Sequence, residues 1–236
     1  MTTSDRSFNY VPHILIPATL ILLGVFCQYS GVDEYIIRLF YDASTQTWPY
    51  ESLWLTAGLI HIGGKDLIVC ISIGLVFSLV LSFFNTKFAR YRLDLTYVIL
   101  SMASGIGTVA IIKNTTHIYS PSKLLDFGGT LPHIRLFDPV PTGAPIGHAF
   151  PSGHASGAFA LVSIYLLLAA TGSKWKYPAL CFSLTLGFIF GFTQQARGKH
   201  FFSHDLIALA ICWMAATIVL YAMGVPQKKI ALREAE

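Results

Sequence analysis

The chain has 236 residues, of which 54% are hydrophobic and only 12% are charged, against about 25% charged in a soluble domain. That deficit excludes an ordinary soluble globular domain and reads as a membrane protein. A net charge of +4 is too small to indicate a nucleic-acid partner, and a positive balance is ordinary where basic loops face the cytoplasm.

In chain order, six segments approach the roughly 20 apolar residues a spanning helix needs. They are Val11–Tyr29 and residues 66–84, 95–112, 156–171, 178–192 and 206–223. Arg6 precedes the first, but no small-residue cleavage site closes it, so it reads as an uncleaved span rather than a signal peptide. Between the first two spans, residues 32–64 are amphipathic and hold Trp48, Tyr50 and Trp54. The apolar run 53–62 is too short to span, so this region reads as one or two interfacial helices with aromatic anchors. The expected fold is all-α: a polytopic membrane protein with about six transmembrane helices, and one membrane-embedded domain over residues 1–236.

Short loops set the orientation. Lys87, Arg90 and Arg92 lie between the second and third spans, Lys174 and Lys176 between the fourth and fifth, and Lys228, Lys229 and Arg233 follow the sixth. Six spans put these and both termini on the cytoplasmic side. Cys27, Cys70, Cys181 and Cys212 lie apart in apolar runs and read as small buried hydrophobes. His61, His117, His133 and His148 have no metal-ligand spacing and read as loop or interfacial polarity. Asp126 and Gly128-Gly129 read as turn residues.

The chemistry-bearing residues fall at the other ends of the spans. Lys113 closes the third, Pro151-Ser152-Gly153-His154 opens the fourth, and His200 and Asp205 open the sixth. A helix start presents free N–H groups to an anion. Gly153 lets backbone approach a phosphate, Ser152 adds a hydroxyl, and Lys113 adds a point charge. A neutral His200 could attack phosphorus, Asp205 could hold its tautomer, and His154 could protonate the leaving alkoxide and then activate water. This set asks for no metal and no cofactor.

These residues resemble the membrane branch of the type 2 phosphatidic acid phosphatase family, across about residues 112–208. The family shows a lysine followed after six residues by Arg-Pro, then Pro-Ser-Gly-His, then an arginine motif ending in histidine and aspartate. Phe150 to Gly157 matches the middle motif in full, while Lys113 is followed by Ser120-Pro121. Gln194 stands where the second arginine belongs, six residues before His200, and Asp205 follows His200 by five residues rather than four. Arg197 and Lys123 are the candidates to replace the lost charge. His204 is a second candidate histidine, but the context Gly198-Lys199-His200-Phe201 favours His200.

With Gly128-Gly129, these departures resemble a divergent bacterial subgroup. The resemblance implies a metal-independent phosphatase in the bacterial cytoplasmic membrane, with a phosphohistidine intermediate and a periplasmic site. The substrate it implies is a lipid phosphate: lipid A, an isoprenoid (undecaprenyl) pyrophosphate, phosphatidylglycerol phosphate or phosphatidic acid. A lipid phosphotransferase using the same intermediate, and a non-catalytic lipid-binding or transport protein, stand as alternatives.

Overall fold

A computed structural model describes residues 8–228, so Arg6, Lys229 and Arg233 lie outside the described residues. Helix α1 is Val11–Tyr29, α2 is Val32–Arg38, and α3 is Gly64–Phe84, preceded without a break by a π-helical segment, Trp54–Gly63. Helices α4 (Thr86–Ala89) and α5 (Arg92–Lys113) follow. Two helices, α6 (Gly153–Phe159) and α7 (Val162–Ala170), make one crossing. Helices α8 (Lys176–Ala196) and α9 (Phe202–Ala222) complete the bundle. Among the described residues there is no strand, only two isolated bridges. Six helices are long and apolar enough to cross a membrane, and the chain is a multi-pass membrane protein.

Helix α9 forms the centre: 61% of its apolar window is buried, against 11% for the Trp54–Phe84 run. It packs on α1, α5, α6 and α7. Small residues let the backbones close up, since apolar burial cannot drive association in lipid. A side chain at Gly105 would meet the Cys212 backbone at 3.2 Å. The outer faces carry exposed Leu22, Phe77, Phe84, Ile111 and Ile218, an apolar surface that lipid covers. Cys27 and Cys212 are buried, whereas Cys70 and Cys181 sit on that outer surface, because α3 and α8 each leave a face outside the bundle.

The run 53–62 does not stand apart as a short segment. It is continuous with α3 across Gly63-Gly64, giving one 31-residue helix. The 21 α-helical residues of α3 alone reach about 31 Å, one bilayer core. The π-helical segment is therefore stacked on the span at the end where α5 and α8 finish and α6 and α9 begin. Short α2 is tied into the bundle through α9.

The loop after Lys113 folds over this same end. Ile37 of α2 packs with Tyr119, Leu124, Phe127, Ile134 and Phe201 in a cluster of its own. Gly128 has φ +78°, and Gly129 lies against the Lys123 carbonyl with no room for a Cβ. This is the turn chemistry expected there.

Candidate active site

Lys113, at the last turn of α5, reaches the first turn of α6: a side chain at Gly153 would meet its Nζ at 3.3 Å. Ser152 stands at the N-cap position of α6 without a side-chain capping bond and is fully buried. Its backbone N–H donates to the His204 carbonyl at 3.1 Å, so that amide ties α6 to α9 and is not open to an anion. The N–H groups of the next positions lack i−4 carbonyls by helix geometry and remain the donors of this turn.

His200 lies two residues before α9, ahead of the extended Phe201, and its Nδ1 lies 2.7 Å from the Ala149 carbonyl. His204 Nδ1 lies 2.9 Å from the same oxygen. The two Nδ1 atoms are 3.5 Å apart. A carbonyl oxygen has two lone pairs and donates nothing, so both imidazoles donate Nδ1–H to Ala149 and both keep Nε2 as a lone pair. Of the two, His200 is electrostatically coupled to both Lys113 and His154, whereas His204 has His133 and Lys113 as its neighbours. Burial, then His204 and Lys113, holds the His200 ring well below its ordinary 6.5, so it is neutral at neutral pH.

His154 lies between two rings: Phe190 stacks on it at 4.6 Å and His61 approaches at 4.7 Å between centroids. Its Nε2 is buried with no partner among the described residues. The Ile60 backbone lies against the same ring. Sequence reasoning read His61 as interfacial polarity. The structure instead puts it beside His154, with Nδ1 2.9 Å from Gln194 Nε2.

The Gln194 oxygen accepts from Arg197 Nη1 at 3.3 Å, and Arg197 Nε donates to the Glu51 carbonyl at 2.9 Å. Burial lowers the Arg197 pKa, opposed by Glu51, and the guanidinium remains charged. Gly198, with φ +67°, turns the chain under the Trp48 indole, where a Cβ would collide. Its carbonyl accepts from Ser122 N at 2.9 Å, pinning the 120–123 turn beside the site. Ser120 is buried there, but Lys123 is exposed.

Asp205 is placed differently from the expectation. Its carboxylate takes a hydrogen bond from Gln195 Nε2 at 2.6 Å and faces Ser152, and no bond to His200 is formed. The Ala149 carbonyl occupies the His200 Nδ1 position instead. Asp205 therefore ties α8 to α9, and Gly191 leaves no room for a Cβ beside it.

A second acid, unremarked in the sequence, does similar work. Asp33 of α2 is 2% exposed and accepts from Ser203 N at 2.9 Å and Ser203 Oγ at 2.5 Å, capping α9. Burial pushes its carboxyl up from 3.8 to about 6, partly offset by the Ser203 bonds. A raised carboxyl contributes stability that is complete below the unfolded value and lost as pH rises through the folded one. Asp33→Asn cannot ionise. Its melting temperature should gain on the parent between about pH 4 and pH 7, by the equivalent of about 3 kcal/mol. Parallel melting profiles in detergent would rule this ionisation out.

The arrangement thus gathers a lysine, first-turn amides, a neutral buried imidazole with a free Nε2, and a second imidazole with an orphaned nitrogen. A family model described as PAP2 superfamily matches residues 94–227, more than half of the chain. No curated protein and no solved structure matches it significantly.

Proposed function

The chain belongs to the PAP2 superfamily, and from that membership we propose that it is a membrane lipid phosphatase working through a phosphohistidine. Membership suggests phosphatase action on phosphate esters. The observation that carries the lipid part is a cavity of about 350 Å³ between α3, α5, α6 and α8. His154 and Gly153 stand at its polar end, and Ile68, Val69, Ile73 and Ile106 line the rest. A phosphate at His154 would therefore carry its apolar chain into the bundle's side, at the level of the bilayer.

In the first step His200 Nε2 forms a bond to phosphorus and the P–O bond to the lipid breaks. His154, charged by the phosphate dianion bound against it, gives its Nε2 proton to the departing alkoxide. Lys113, the first-turn amides of α6 and the free N–H groups of Arg197 meet the phosphoryl oxygens as charge develops. In the second step water attacks phosphorus, His154 takes its proton, and the P–N bond breaks. Asp205 acts as a positioning residue, tying the start of α9 to α8 through Gln195.

The resemblance to a bacterial subgroup supports a location in the bacterial cytoplasmic membrane, and the basic loops support an orientation with this end facing the periplasm and both termini in the cytoplasm. Lys87, Arg90, Lys174 and Lys176 sit at the end opposite the site.

Purified protein in detergent should release phosphate from one or more of lipid A, undecaprenyl pyrophosphate, phosphatidylglycerol phosphate and phosphatidic acid. A short water-soluble monoester should react at least about 10²-fold more slowly, because remote binding energy is absent. Vanadate should compete, and a chelator should leave the rate unchanged. Equal rates on soluble esters would overturn the lipid reading. Loss on chelation with recovery on adding a divalent ion would overturn the metal-independent one.

A further inference from the structure

Gln194 stands six residues before His200, and its amide has one acceptor end and one donor end, so its two contacts fix its orientation. Arg197 has only donors, which means the Gln194 oxygen faces the guanidinium, as observed at 3.3 Å. The Gln194 NH₂ group is then the one 2.9 Å from His61 Nδ1. An NH₂ group cannot accept, so His61 Nδ1 carries the lone pair and the ring proton sits on Nε2. A protonated His61 would set N–H against N–H. The chain Glu51–Arg197–Gln194 therefore holds a neutral imidazole with its donor on the far side.

That far side has no protein acceptor among the described residues, and it belongs to a ring 4.7 Å from His154, whose own Nε2 is orphaned. Lys113, Arg197 and Lys65 are the charged groups around His61, so the space it borders is electropositive. The π-helical segment lifts His61 above α3 to this level, and π-helical turns recur at functional sites.

Resting on the phosphatase reading, we propose that His61 is a third histidine of the reaction, donating its Nε2–H to a non-bridging phosphoryl oxygen, with Gln194 and Arg197 as its positioning residues. His154 serves the leaving oxygen and His200 the phosphorus. His61 stays neutral throughout and transfers no proton. Its N–H strengthens as charge gathers on the phosphoryl oxygens, which makes it a contributor to kcat more than to KM.

The test is phosphate release on the best lipid substrate, with vanadate inhibition measured beside it. His61→Ala should lower kcat by about 10²-fold and weaken vanadate in parallel, with KM little changed. Gln194→Leu frees the tautomer and should lower kcat by about 10-fold, and the double variant should be no worse than His61→Ala alone. His61→Gln, which can return an N–H at similar reach, should recover part of the loss. A kcat within about 3-fold of the parent for His61→Ala, or losses that multiply in the double variant, would overturn the proposal. Should His61→Ala not fold, full activity and full vanadate sensitivity of Gln194→Leu would overturn it. Absence of turnover in the parent protein would instead sink the phosphatase reading itself.

Discussion

Replacing His200 with alanine should lower lipid phosphate release by at least about 10³-fold and abolish acid-labile phosphoenzyme, without unfolding the protein. Three observations converge on this. Nδ1 is spent on the Ala149 carbonyl, so the free Nε2 points elsewhere. Burial keeps the ring neutral and therefore nucleophilic. Lys113 and His154 are its charge-coupled neighbours. The fold should survive, because Ala149 retains its bond to His204. The depressed pKa adds a second readout. A nucleophile must be unprotonated, so the acid limb of kcat/KM that belongs to His200 should fall well below pH 6.5. If His204→Ala removes the phosphoenzyme and His200→Ala spares it, the two imidazoles exchange roles.

His154→Asn should cost about 10²- to 10⁴-fold on a lipid substrate, the range of a general acid–base group. The size matters less than its dependence on the leaving group. An alkoxide needs a proton as it departs, whereas a p-nitrophenolate does not. With an activated aryl phosphate, the first step should be spared and the water step should remain slow. Phosphohistidine should then accumulate in the variant and be trapped on acid quenching. An equal loss for both leaving groups, with no trapped intermediate, would reduce His154 to a phosphate contact. The orphaned Nε2, held between Phe190 and His61, is the atom at stake.

What the sequence made legible follows from the range of each interaction. The six crossings were readable because a helix in lipid needs an unbroken apolar window, a property of consecutive residues. The 53–62 segment was misjudged as isolated because Gly63-Gly64 followed by Lys65-Asp66 looks like a loop. Nothing in composition distinguishes a π-helical turn that carries straight into an α-helix. The motif histidines and Lys113 stand out in the sequence because residue type announces their chemistry. The Ala149 carbonyl does not, since any residue supplies one. His61 and Asp33 were invisible for a different reason: their partners, Gln194 and Ser203, lie 133 and 170 residues away. Asp205 carried an assignment drawn from spacing near His200, and the side chain found Gln195 instead.

The cap that Asp33 places on α9 bears on where the molecule can be cut. The family match begins at residue 94, yet Ser203 is held from α2, Gln28 at the end of α1 accepts from Leu136 N at 3.0 Å, and Glu34 pairs with Arg135 at 2.9 Å. Helix α1 also lies along α9 for much of its length. A fragment trimmed to the matched stretch would keep Lys113, His154 and His200 but lose the struts that fix the mouth of α9. A fragment of residues 94–227 should therefore melt below the full chain in detergent, and equal melting temperatures would show that these struts are dispensable.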